Sequence, residues 1–245
     1  MDFGKFCTVT FIALDFTTHS VNFGLNIDFR RLSKYNTFVM LKIETIWHHL
    51  LNEALEKGQT SYTQQDLARK FGYSISTIHH ALVIPTELGA IKKSGKSFAL
   101  ADFQKLLYYW AGSRRLEKDI IFSCYVDKDV RQIESLVYPE SVFACYSAYR
   151  MRYTEPAGDY SKVYIYSNDI DKQKIYRRME VDLEDREKNP NFYILKKTAG
   201  MDDFGKITTL PQTFVDIWNL PDWYSGEFIS QLKEKIRGIS TALLS

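Results

Sequence analysis

The stretch Thr63–Phe98, TQQDLARKFGYSISTIHHALVIPTELGAIKKSGKSF, leaves the chain few ways to fold. Leu67 and Ala68 give a short helix an apolar edge. Phe71-Gly72 ends it, because glycine enters the left-handed conformation without a Cβ clash. A second helix then has to begin almost at once. Ser74 suits its N-cap, since a hydroxyl accepts from the free amides of the next turn, and Ile75, Ile78 and Leu82 recur at helical spacing after it. Two short helices around a glycine turn make a helix-turn-helix. Its second helix keeps Ser76, Thr77, His79 and His80 off the apolar stripe, so that with the capping Ser74 they form a set of small donors and imidazoles suited to a DNA major groove. Beyond Leu88-Gly89-Ala90-Ile91, the run Lys92-Lys93-Ser94-Gly95-Lys96-Ser97-Phe98 reads as a two-stranded hairpin with a basic, glycine-turned tip. Its Lys92, Lys93 and Lys96 are candidates for phosphate contact.

These residues resemble the winged helix-turn-helix family of prokaryotic DNA-binding domains. The family pattern has a T-x-x-x-LA start, an S-x-S-T start to the recognition helix and a G-x-I lead into the wing. Here those positions are Thr63, Leu67-Ala68, Ser74, Ser76-Thr77 and Gly89-Ala90-Ile91. The resemblance implies that the hairpin is the wing and that double-stranded DNA is the partner. Pro85 departs from the pattern, standing where the family usually has a core leucine. Proline inside a helix removes the bond to the carbonyl of Ala81, at a cost of about 3 kcal/mol, so the recognition helix is expected to be short or kinked. Winged helices also serve as protein-interaction or spacer modules, because a fold does not fix a function.

With 245 residues, 45% hydrophobic and 15% aromatic, the chain is long enough for two domains with separate cores and is not of disordered composition. A net charge of +2 excludes a globally basic protein, so a nucleic-acid footprint has to be a local patch such as the hairpin. Cys7, Cys124 and Cys145 are scattered, without CxxC spacing. That argues against a disulfide framework or zinc site and for a reducing, cytoplasmic setting. No apolar run approaches the roughly 20 residues of a membrane-spanning helix. The pairs His48-His49 and His79-His80 are adjacent on helices, about 100° apart, and cannot converge on one metal, so each reads as a pair of partly solvated helix histidines.

In chain order, Met1–Asn36 is an N-terminal extension without a clear assignment. Phe6–Phe16 is apolar, but Asp15 interrupts it and no cleavage site follows, which argues against export. The alternation around Val21–Phe29 suits a strand or hairpin; alternatively Met40 is the start and the preceding segment an upstream extension. A first domain is expected over residues 37–113. Its opening helix over Thr37–Glu56 carries Val39, Ile43, Ile46, Trp47, Leu50 and Leu51 on one face, and its closing helix is capped by Asp102 with Phe103, Leu106, Leu107 and Trp110 buried. Arg114-Arg115 then reads as a solvated pair at the boundary. Over 114–245 the order is a strand at Ile120–Val126, a helix bearing Val130, Ile133, Leu136 and Val137, strands at Lys162–Tyr166 and Phe192–Leu195, and two closing helices. The opposed charges of Asp169–Lys188 read as a solvated helix and loop.

In this second domain the order of strand, helix, Ser147-Ala148-Tyr149, and a strand beginning at Asp159-Tyr160-Ser161 resembles the nucleotidyltransferase-like fold of AbiEi-type antitoxins. These are the regulators of type IV toxin–antitoxin pairs and join a winged helix to such a domain. The fold class expected is therefore α+β: a winged helix-turn-helix followed by an α/β nucleotidyltransferase-like domain. The resemblance implies a transcriptional regulator that represses its own operon, with a cognate toxin or a second copy as the further partner of the C-terminal domain. A working nucleotidyltransferase places Gly-Ser before the helix and Asp-x-Asp on the next strand to hold Mg²⁺. Here the positions are Tyr146-Ser147 and Asp159-Tyr160-Ser161, so one carboxylate and the glycine are missing. Asp169-Ile170-Asp171 has the letters but lies in a turn beyond the strand. No catalytic residue, metal ligand or cofactor is therefore expected. The alternative is an active Mg²⁺-dependent nucleotidyltransferase using Asp159 with Asp169 or Asp171, its winged helix presenting a nucleic-acid substrate. Trp218, Trp223, Tyr224 and Phe228 are either core or an aromatic anchor for a protein partner.

Overall fold

A computed structural model describes the backbone of residues 29–244 apart from 169, 170 and 199, and the side chains of 42–239 apart from those three and 183 and 186. The expected strand or hairpin around Val21 and the pair Asp169 and Ile170 lie outside the described residues. The described residues are α+β with two small sheets.

The first half runs α1 (Phe29–Lys57), β1 (Ser61–Thr63), α2 (Gln64–Phe71), α3 (Ile75–Glu87), β2 (Ile91–Ser94), β3 (Ser97–Leu100) and α4 (Phe103–Ser113). The apolar face read from Thr37 onward belongs to a helix that begins eight residues earlier, at Phe29. β1, β3 and β2 form an antiparallel sheet in that order, with Tyr62 opposite Phe98 and Ile91 opposite Leu100. Each strand pair thus brings one apolar side chain to the face that α1 to α3 cover.

The second half holds β4 (Ile120–Cys124), α5 (Val130–Leu136), β5 (Val142–Ala144), α6 (Cys145–Tyr153), β6 (Val163–Ser167), α7 (Lys172–Met179), β7 (Phe192–Lys196), α8 (Leu210–Trp218) and α9 (Ser225–Leu244). Its sheet order is β4-β7-β6-β5, with only the β6/β7 pair parallel. β6 is buried at every position because both faces of the sheet are covered. Alternation sends Val163 and Ile165 into a cluster with Ile133 of α5 and Ile175 and Met179 of α7. Tyr164 and Tyr166 point the other way, into a cluster shared with α6, α8 and α9. The mixed-charge segment therefore buries one side of α7 and solvates the other. The last helix starts at Ser225, not at Pro221-Asp222, because Asp222 O accepts from both the amide and the hydroxyl of Ser225 in a tight turn.

The larger cluster crosses the boundary expected near Arg114. It runs from Ile46 and Trp47 of α1 through Trp110 of α4 to Phe214, Ile217 and Phe228 of the closing helices. α8 packs on both α1 and α4, and Asn219 Nδ2 donates to Ala111 O at 3.0 Å.

Candidate nucleic-acid interface

Caps build the turn between α2 and α3. The Thr63 hydroxyl accepts from the Asp66 amide at 3.1 Å and donates to its carboxylate at 2.7 Å. Gly72 closes α2 at φ +64°, a value that only glycine reaches without strain. The Ser74 hydroxyl accepts from the Thr77 amide at 3.1 Å, and the two hydroxyls bond each other at 2.9 Å. Two of the expected base-reading side chains, Ser74 and Thr77, are thus tied into the cap. Ser76, His79 and His80 stand exposed on the outer side of α3.

The inner side of α3 is Ile78, Ala81, Leu82 and Pro85, all buried. Ile75, read as part of that stripe, is instead 48% exposed. As the first residue of the helix its side chain leans toward the N-terminus, past the edge of the core. α3 also runs unbroken through Pro85 to Glu87, where the sequence points to a short or kinked helix. The reason lies on α1: the indole Nε1 of buried Trp47 donates to Ala81 O at 2.7 Å, filling the place of the amide that proline lacks.

The hairpin closes with Ser94 opposite Ser97 and a two-residue loop, Gly95-Lys96. Gly95 takes φ +58° while Lys96 stays at negative φ, and the Ser97 hydroxyl donates to Ser94 O at 2.9 Å. Lys92 pairs across from Ala99 and Lys93 across from Phe98, so the two lysines leave β2 on opposite faces. Lys92, Lys93 and Lys96 are all exposed and form no ion pair with any described residue. Between Ile75 and Thr86, α3 itself carries no Asp, Glu, Lys or Arg. A charge-free helix face therefore precedes a cationic hairpin, with Arg69 and Lys70 exposed at the end of α2.

Away from this face, Arg114 is not a solvated boundary residue. It is 5% exposed and binds Glu44 of α1 at 2.5 Å, Asp119 at 2.9 Å, Asp216 of α8 at 3.0 Å and the Tyr166 hydroxyl of β6 at 2.8 Å. Burial opposes charge on the guanidinium, but Tyr166 and the three carboxylates outweigh it and hold its pKa well above the usual value. Burial also pushes the Asp216 carboxyl up to about 6, against the pull of Arg114. The signal for this hub is in the sequence: Arg114 lies four residues after Trp110, on the same stripe as Phe103, Leu106 and Leu107.

Arg114 and Tyr166 also line a cleft of about 590 Å³, together with Lys70 and Phe71 at the end of α2 and Tyr73 of the α2–α3 turn. His48 and His49 lie along it; His48 is half-buried, whereas His49 is buried and not the partly solvated helix histidine read from sequence. His48 Nε2 meets Thr209 Oγ1 at 2.7 Å beneath the Phe204 ring, and burial, with His49 and Arg114 near, lowers its pKa to about 3. His49, 6% exposed, is lowered to about 4, first by burial and then by Lys70.

In the second half, Cys145, Tyr146 and Ser147 at the start of α6 are fully buried, and the Tyr146 ring packs on Tyr224 and Phe228 with centroids 4.8 Å away. Asp159 and Ser161 are exposed and precede β6, which begins only at Val163. Asp171 caps α7, accepting from the amides of Gln173 and Lys174. Of the closing aromatics, Tyr224 and Phe228 are core, whereas Trp218 is 42% and Trp223 83% exposed. Among the described residues no group of three His, Cys, Asp or Glu is placed to hold a metal ion, and no helix is long and apolar enough to cross a membrane.

Compared with protein-family models, with curated proteins and with solved structures, the chain has no match.

Proposed function

We propose that the chain binds double-stranded DNA as a transcriptional regulator, with β1–β3 and α1–α3 as a winged helix-turn-helix, α3 as the reading helix and the β2–β3 hairpin as the wing. The observation that carries this reading is the division of charge. α3 presents hydroxyl and imidazole groups on a face without formal charge, while the exposed Lys92, Lys93 and Lys96, unpaired among the described residues, follow it directly. Phosphate contacts supply affinity and position, and hydroxyl groups are among the side chains that read base edges. The second half, read as nucleotidyltransferase-like, is proposed to act without nucleotidyl transfer. The positions read for the metal-binding pair, Asp159 and Ser161, offer a single carboxylate and lie exposed before β6, and the first turn of α6 is packed with aromatic rings, Tyr146 against Tyr164 and Tyr224. Exposed Trp223 and Trp218 are the surface that a toxin or a second copy would use.

Duplex binding measured as a function of salt tests this. Each phosphate-bound lysine contributes about 0.9 to the slope of log affinity against log salt. Replacing Lys92, Lys93 and Lys96 together by alanine is expected to lower the slope by about 0.9 for each phosphate no longer neutralised, for all sequences alike. A slope equal to the parent's, or no duplex binding by the parent at low salt, refutes the assignment.

A further inference from the structure

The exposed side of α3 is unusual in what it omits. The commonest specific contact in a major groove is arginine or lysine forking onto guanine O6 and N7, and α3 has neither residue along its length. The nearby cations lie on α2 and on the hairpin. What α3 does present is Ile75, 48% exposed in its first turn, with His79 four residues on along the same ridge and Ser76 and His80 along the next. Ile75 is not needed to close the core, because Ile78, Ala81, Leu82 and Pro85 already fill the inner stripe. An apolar side chain at the N-terminal end of a helix in the major groove meets one apolar group on the base edges, the C5-methyl of thymine.

We infer that Ile75 packs on a thymine methyl and selects a T·A pair at one position of the bound site. The inference rests on the proposed entry of α3 into the major groove and adds to it the base that one side chain reads. The lysines of the hairpin hold the backbone and are indifferent to this choice.

The test uses the full chain. A site is selected from a pool of random duplexes, and each thymine in it is then replaced singly by deoxyuridine, which deletes the methyl and nothing else. At one position the parent is expected to bind the deoxyuridine duplex about four-fold more weakly, the worth of one buried methyl-sized group. Ile75→Ala is expected to bind the thymine duplex at that weakened level and to lose the difference at that position, while keeping the parent's response elsewhere and its far-UV spectrum. Parent binding that ignores deoxyuridine at every position overturns the inference, as does an Ile75→Ala variant with the parent's full pattern. If the parent retains no duplex at low salt, it is the DNA-binding reading that fails, and the two failures are distinct.

Discussion

Replacing Trp47 by phenylalanine tests whether an indole stands in for the amide that Pro85 lacks. The Nε1 donor and the Ala81 carbonyl are both buried and 2.7 Å apart, so the variant strands an acceptor where water does not reach. An unsatisfied buried group costs about 1–3 kcal/mol. The missing half of the indole adds on the order of 1 kcal/mol of apolar burial, for a total of about 2–4 kcal/mol. The two parts separate in a Pro85→Ala background. There the backbone N–H restored by alanine can bond Ala81 O within α3, so Trp47→Phe should cost only its packing part. The expected coupling between the two substitutions is about 1–3 kcal/mol, read from urea unfolding followed by far-UV circular dichroism, since tryptophan emission is itself altered. A coupling below about 0.3 kcal/mol would mean that the indole bond contributes nothing to bridging the proline, and the reasoning would fail.

Two further outcomes concern the hub. Arg114→Met keeps most of the stem and leaves Glu44, Asp119 and Asp216 facing one another without a counter-charge, so it is expected to cost about 3–5 kcal/mol; a thermal unfolding midpoint equal to the parent's would refute this. For pH, His48 and His49 are neutral in the folded chain and protonate on unfolding, so their contribution is full above about 6.5 and falls away as the pH drops toward 4 and 3. Asp216 has the opposite sign: its raised folded pKa of about 6 favours the native state below 3.8, and that benefit is lost as the pH rises through 6. Asp216→Asn should therefore steepen the rise of stability between pH 4 and 6 by about 1.4 kcal/mol per unit. An unchanged slope in denaturant titrations across that range would show that the carboxyl does not titrate there.

The parts of the fold that are legible in the sequence are those closed within a few residues. Thr63, Ser74 and Asp102 announce their helix starts because a cap joins a side chain to the amide three positions on. Gly72 and Gly95 announce a helix end and a turn because the backbone there takes a positive φ that glycine reaches without a Cβ clash. What the sequence hides is who answers a local deficit from a distance. The missing bond at Pro85 is visible in one line of sequence, but the donor that repairs it lies 34 residues before Ala81. Arg114 has a helical spacing that marks it as inward, yet its partners come from α1, the turn before β4, β6 and α8, up to 102 residues away. His48 and His49 look alike to a periodicity argument that ends at the helix surface. Only distant partners take them off the surface: Thr209 and Phe204 meet His48, and Tyr62 and Phe71 cover His49.

Glu44 and Trp47 lie three residues apart on α1, and each makes one of these distant bonds. Trp47 holds α3 through Ala81, and Glu44 holds Arg114 and, through it, α8 and β6. A single turn of one helix therefore fixes the proposed reading helix against the second half of the chain, with Phe214 and Ile217 packed in the same cluster. Such an arrangement suits a reader whose α3 is presented in one orientation rather than on a hinge, because interiors are close-packed and a shift on either side of α1 would have to open a buried hydrogen bond on the other. In the proposed function, then, the second half is a brace for the reading helix as well as a surface for a partner. Arg114→Met would be expected to disturb DNA binding without touching a residue that faces DNA.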